Sequence, residues 1–319
     1  MGWTELIRCM NIVALQCAQV KAGEQAAILT DFRQNPEISD SLTSVLYALD
    51  LEVAAINIPP REGKLASLPD PVLECLKGMD IVFLCSITRF PRPQMEAIYQ
   101  TGKARALSLF GVDSDQMIRT AAIDYHSLSQ RLKKMVDIVT SGKTLVLQTP
   151  EGGRLEMSIE DRSGLFVDGI VRGPGEINYI PAGVLAVTPV ESTVKGNFFI
   201  NGSIHGIGKV AQPVEIVVEA GRVVQIKGGD EASRFRAKLE AADANAFCIG
   251  ELGLGANPNA RLMGTGEDER INGGIHIGVG HNIHLGGTVQ SNSHIDVNTI
   301  GGDFIVDGIS IIKKGQIQF

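Results

Sequence analysis

The property of this chain that most restricts its fold is a change of rhythm near residue 143. Between residues 5 and 125 helix-like and strand-like segments alternate, whereas beyond residue 143 almost every apolar stretch is short and strand-like. Alternation marks an α/β layer structure and a run of strands marks a β-rich one, so the chain reads as two differently built units. Its 319 residues agree, because single cores stop growing at about 250–300 residues.

The first unit, expected over residues 1–142, begins with apolar groups at helical spacing from Leu6 to Val20. A buried strand at Gln25–Thr30 and a helix at Ser39–Leu49 follow. The cycle repeats with strands at Leu51–Ile56, Met79–Cys85 and Ala104–Leu109, and with helices at Pro71–Gly78 and Pro93–Thr101. Short central strands linked by crossover helices pair in parallel, so a mainly parallel sheet is expected. No Gly-x-Gly-x-x-Gly turn or Gly-Lys-Ser/Thr loop follows these strands, and a nucleotide site therefore has no local support. A helix from about Ser127 to Ser141 leads out, with Arg131, Lys133 and Lys134 read as a solvated face.

The second unit, residues 143–319, is expected to be mainly antiparallel β with an α+β character. Its strands fall at Thr144–Thr149, Arg154–Ile159, Val214–Val218 and Arg222–Ile226, with hairpin turns at Gly152-Gly153 and Ala220-Gly221. One helix is evident, from Asp230 to Ala242.

A net charge of -7 and a pI near 5.4 argue against nucleic acid as a partner, since that affinity rests on clustered Lys and Arg. The first residues lack the features of a signal peptide, and no apolar run reaches the roughly 20 residues of a membrane span, so a cytoplasmic protein with no membrane partner is expected. The five cysteines are scattered and read as reduced thiols.

Chemistry concentrates in the last quarter, where four of the six histidines (His276, His281, His284, His294) fall within 19 residues among runs of glycine. In an extended segment, His294 and Asp296 project from one face, so an imidazole and a carboxylate point at one spot. Glu251 is a carboxylate in the apolar, glycine-rich stretch Ile249–Gly255 and needs a cation, a donor set or a metal. With His276 these residues form a candidate ligand set for one divalent transition metal, Zn, Mn or Fe(II). Asn257, Asn282 and Ser293 are candidates to orient the ligands, and His281, His284 and Glu251 are candidate catalytic acid–base groups. Glu267, Asp268 and Glu269 read as a solvated acidic patch, with contact of one of them with the site as the alternative, and His205 and His126 as isolated.

On the motifs Gly250-Glu251-Leu252-Gly253-Leu254-Gly255, His276-Ile277-Gly278-Val279-Gly280 and His294-Ile295-Asp296, residues 174–315 resemble a known superfamily. It comprises the thermophilic metallopeptidases related to aminopeptidase T and their shorter relatives, the iron-dependent 2,5-dihydroxypyridine dioxygenases. In the peptidases two metal ions are held by two glutamates, two histidines and an aspartate, and Glu251, His276, His294 and Asp296 match four of these. The remaining glutamate belongs to a Pro-x-Gly-Glu motif that here reads Pro181-Ala182-Gly183-Val184, and the catalytic tyrosine has no counterpart. Both departures favour a single ion. The dioxygenases keep the His-x-Asp pair with a third histidine where this chain has Glu251, and His276 would restore a two-histidine, one-carboxylate set. The expectation that follows is a mononuclear metal-dependent hydrolase of a small amide or cyclic amide. The alternative is a non-haem Fe(II) dioxygenase that cleaves a hydroxylated N-heterocycle. Either takes a small-molecule substrate, and the resemblance implies a homo-oligomer.

Overall fold

A computed structural model describes residues 2–59, 67–88, 90–100 and 102–319. The chain forms two compact units, one built from Met1–Tyr125 with Val167–Ala182, the other from His126–Phe166 with Gly183–Phe319.

The first unit is the α/β layer that the alternation implied. Its five strands lie in the order Glu52–Ile58, Gln25–Asp31, Ile81–Leu84, Arg105–Ser108 and Ile177–Tyr179, all parallel. Ala27, Leu29, Val82 and Leu84 are buried with Leu76 and Ile98 of the covering helices, which is why the strands read as unbroken apolar runs. Each of the larger of these side chains contributes about 1.5–3 kcal/mol by leaving water. The helices occupy Pro36–Ala48, Asp70–Lys77 and Arg92–Tyr99. Thr101, the expected end of the last, lies outside the described residues. Asn35 caps the first of these by accepting from the Glu37 amide, with Pro36 preset at the opening turn. The opening apolar segment is an α-helix over Trp3–Ile12 that continues as a π-helix over Val13–Cys17. Two elements were not expected from the sequence: the helix Ser114–Thr120 and the three-residue strand Ile177–Tyr179, which is too short to show a period.

The second unit contains the helix Tyr125–Ser141, the helix Asp230–Glu240 and two antiparallel sheets of eight and seven strands. In the eight-stranded sheet, Val214–Glu219 and Arg222–Lys227 form a hairpin in which Ala220 and Gly221 both take positive φ, 45° and 80°, as a type I′ turn demands. Phe198 and Ile200, on the strand Lys195–Ile200, are core residues. The solvated face expected at Arg131, Lys133 and Lys134 is only partly so. The lysines are exposed, but half-buried Arg131 donates to the Ala256 carbonyl and ties the helix to the end of a central strand.

The centre of the seven-stranded sheet runs Ser203–Ile204, His294–Thr299, Ile275–Gly280, Ile249–Gly255 and Val184–Val187. One face is apolar and dry, with Leu252, Leu254, Ile277, Val279, Ile295 and Val297 buried. The opposite face carries Glu251, His276, His294 and Asp296, so the two-residue period of the strands separates core from chemistry. No helix among the described residues is long and apolar enough to cross a membrane, and all five cysteines are free.

Candidate metal centre

Register assembles the site. Glu251 pairs with Gly278, Gly278 pairs with Asp296, and His294 pairs with Gly280 one step along, so the two carboxylates flank a glycine across three neighbouring strands. A register shift between Ile249 and Glu251 sets this alignment, as bulges beside active sites do. Without it the period of two would turn Glu251 to the apolar face.

The glycines make room for the imidazoles. A Cβ on Gly253 would stand 2.1 Å from His276 Nε2 and 2.7 Å from the Leu185 carbonyl oxygen, and one on Gly278 would stand 2.7 Å from His294 Cε1 and 2.8 Å from Glu251 Cβ. Neither glycine takes a positive φ. Their role is space.

One ligand atom each from Glu251, His294 and Asp296 lies within 4.8 Å of the others. His294 Nδ1 is 2.7 Å from the His281 carbonyl oxygen, which only accepts, so Nδ1 carries a hydrogen and Nε2 faces the carboxylates. There Nε2 meets Asp296 Oδ1 at 3.1 Å and Glu251 Oε2 at 3.2 Å. Two anionic oxygens and a ring nitrogen in so small a space need a cation between them, a proton or a metal ion. Burial opposes charge on His294, yet Asp296 and Glu251 push its pKa up to about 11. Burial works to raise the pKa of both carboxyls, but hydrogen bonds and charge from His276 and His294 hold Glu251 well below the usual range, and His294 lowers that of Asp296. The oxygen-rich donor set with one imidazole fits a single divalent transition metal.

His276 stands behind this cluster, fully buried, its Nε2 donating to Glu251 Oε1 at 3.3 Å. Its Nδ1 is buried with no partner among the described residues. His276 is thus placed against the far oxygen of Glu251, leaving Oε2 to face His294. Val184, where the peptidase motif has glutamate, pairs with Gly255 on the same face and offers no ligand atom.

His281 and His284 are brought close. His284 is exposed on the 3-10 turn Ile283–Leu285; its ring stacks on His281 at 5.4 Å and meets His294 edge-on at 5.6 Å. Asn282 holds this loop rather than the ligands. Its Nδ2 donates to Glu191 Oε1 and the Gly250 carbonyl, and its Oδ1 accepts from the Val289 amide. Ser293 bonds through its amide to Ser291 Oγ, and Asn257 Oδ1 accepts from the Asn259 amide.

The acidic patch is not solvated. Glu267 and Asp268 are each 1% exposed. Glu267 accepts from the Arg261 amide, and Asp268 from Ser203 Oγ and the amides of Met263 and Gly264, fastening the loop over the sheet. Glu269 is paired with Arg270 at 2.6 Å and sits in the field of the centre. Burial, then repulsion from Asp296 and Glu251, pushes its carboxyl up to about 7 against the pull of Arg270 and His276. Nothing in the sequence pattern separated Glu269 from its neighbours; the turn Asp268–Arg270, packed on Ile249–Gly255, places it. His126 is exposed and bonded to Gln130 on its helix. His205 is not isolated, because its amide donates to the Asp296 carbonyl at 2.8 Å and sets the two residues side by side.

A face that gathers candidate metal ligands lies on the antiparallel β unit, and the same chain carries a parallel α/β unit. The chain belongs to the NicX family, 2,5-dihydroxypyridine 5,6-dioxygenase, whose model matches residues 5–319. Among solved structures it is similar to the 2,5-dihydroxypyridine dioxygenase from Pseudomonas putida KT2440, with a TM-score of 0.86, 18% identity, and coverage of 99% of this chain and 98% of that one. It is also similar to wild-type AmpT from Thermus thermophilus, with a TM-score of 0.68, 13% identity, and coverage of 99% of both chains. A comparison with curated proteins returns no match. The family match overturns the hydrolase expected from the sequence, and with it the amide substrate. That expectation leaned on Glu251 and His276 as peptidase-type ligands, but ligand type alone does not select between hydrolysis and oxygen chemistry.

Proposed function

We propose that the protein is an Fe(II)-dependent dioxygenase that opens the ring of a hydroxylated N-heterocycle such as 2,5-dihydroxypyridine. The observation that carries this reading is the family match over residues 5–319. The convergence of Glu251, His294 and Asp296 supports it with a place for one ion. Glu251, His294 and Asp296 would hold the iron(II), which would supply the one-electron and dioxygen chemistry that ring opening requires.

The chain's own residues prepare that chemistry. The His281 carbonyl orients the His294 ring, and His276 fixes the far oxygen of Glu251. We assign His284 and His281 the proton of the incoming ring hydroxyl, because they stack on each other beside His294 and His284 reaches solvent. Glu269, with its pKa near 7, is a second group able to hold a proton at neutral pH.

The test is elemental analysis of protein purified without oxygen, followed by oxygen uptake on 2,5-dihydroxypyridine. One iron per chain and substrate-dependent oxygen consumption are expected. Zinc in place of iron, with no oxygen uptake after iron loading, would sink the proposal.

A further inference from the structure

The His281 carbonyl that aims the His294 ring is itself held in place from outside the sheet. Pairing between Ile275–Gly280 and His294–Thr299 ends at Gly280 and His294, and one further bond, from the His281 amide to the Ser293 carbonyl at 2.7 Å, extends it into the loop. Ser293 therefore meets the site twice, as the residue before His294 in the chain and as the partner of His281. Its own segment, Gln290-Ser291-Asn292-Ser293, brings no apolar side chain, so hydrogen bonds rather than burial must fix it.

One carboxylate supplies most of them. Asp243 accepts from Ser291 Oγ at 3.0 Å and from the Asn292 amide, and Ser291 Oγ in turn accepts from the Ser293 amide at 3.1 Å. Next to Asp243, Asn245 Nδ2 donates to the Gln290 carbonyl at 3.0 Å. The Asn292 amide, aided by Ser291, Asn245 and Ala246, holds the Asp243 carboxyl below the usual carboxylate range, so these bonds are made to an ionised acceptor. The same carboxylate caps the 3-10 turn Ala244–Phe247 through the amides of Asn245 and Ala246. A cap needs only those two bonds. The others reach 48 and 49 residues along the chain, to the segment that enters the metal-binding strand.

We infer that Asp243 is a positioning residue of the metal centre, which by anchoring Ser291 and Asn292 fixes the Ser293 peptide and, through the His281 carbonyl, the direction of the His294 ring. The inference rests on the single-ion centre of the function proposed above. It gives Asp243 no place in the ligand set.

Titration of the metal-free protein with Mn(II), read by the signal of the free ion, measures the centre without turnover. Asp243→Ala is expected to raise the Kd about tenfold, the low end of what losing the support of a ligand costs. Ser291→Ala leaves the cap of the turn intact and cuts the link to the Ser293 amide, and a smaller rise, of about threefold or more, is expected. Ser291→Thr, which restores the hydroxyl, should return wild-type affinity. The double variant Asp243→Ala/Ser291→Ala should bind no more weakly than Asp243→Ala, because both changes act through one path. A residue that only capped the turn would lower the melting temperature on substitution and leave every Kd unchanged. A Kd within about twofold of wild type in either single variant, or additive losses in the double one, would overturn the inference and leave the proposed function standing. The Ser291 pair decides the matter if Asp243→Ala does not fold. The expected losses without oxygen uptake after iron loading would keep the inference and overturn the proposed function, and failure of the wild-type protein to bind either Mn(II) or Fe(II) would overturn both.

Discussion

Gly278→Ala tests whether glycine at the floor of the site is there for space. The added Cβ would stand 2.7 Å from His294 Cε1, 3.0 Å from His294 Nε2 and 2.8 Å from Glu251 Cβ. Carbon atoms rest at about 3.5–4.0 Å, so at least two groups must each give roughly 0.7 Å. Neither yields easily: the ring is held through Nδ1 to the His281 carbonyl at 2.7 Å, and Glu251 Cβ moves only with its strand. Ligand distances in metal sites hold to about 0.2 Å, several times less than the displacement demanded. We expect metal affinity to fall by about 10–100-fold, the range found when the support of a ligand is lost. Overpacking should also lower stability by about 1–3 kcal/mol. The assay is competitive Fe(II) or Mn(II) titration alongside thermal melting. A variant that binds metal as tightly as the wild type would refute the claim that this glycine sets the ligand geometry.

His294→Ala or Asp296→Ala should abolish both metal content and oxygen uptake, because each removes one of three converging donors; retained turnover in either would contradict the assignment. Metal binding near pH 7 should release about one proton per chain, since His294, with its pKa raised to about 11, carries a proton that the ion displaces. Calorimetry in buffers of different ionisation enthalpy reads this number, and zero would be inconsistent with the protonated centre. The raised folded-state pKa of His294 also gives the metal-free protein stability that is full below the unfolded value of about 6.5 and is lost as pH rises towards 11. Its melting temperature should therefore fall over that window, and a flat or rising profile would count against the ion-paired imidazole. Asn282→Ala, which removes a fully buried amide that joins Glu191, Gly250 and Val289, should cost about 1–3 kcal/mol in denaturant unfolding. A change within about 0.5 kcal/mol, the scatter of surface substitutions, would show that the loop is held otherwise.

Much of this was readable from local pattern. The strands Gln25–Asp31 and Ile81–Leu84 announce themselves because both faces are buried, and the Ala220-Gly221 turn because its backbone admits few residues. His294 and Asp296 were legible as a pair because a strand has a period of two. The strand Ile177–Tyr179 was not, since three residues show no period and its partner Arg105–Ser108 lies far earlier in the chain. Glu269 and His205 were not singled out for a related reason: what places them is the packing and pairing across the sheet, which local pattern does not record.

The sequence by itself determined the two-part architecture and the segment that gathers the histidines and carboxylates, because burial and backbone conformation write short periods into a chain. Only the tertiary structure decided which ligands meet. Register placed Glu251 and Asp296 on either side of Gly278, set His276 against Glu251 Oε1, and aligned His205 with the same row. Register depends on pairing between distant strands, and a shift of one residue reverses the face of every side chain.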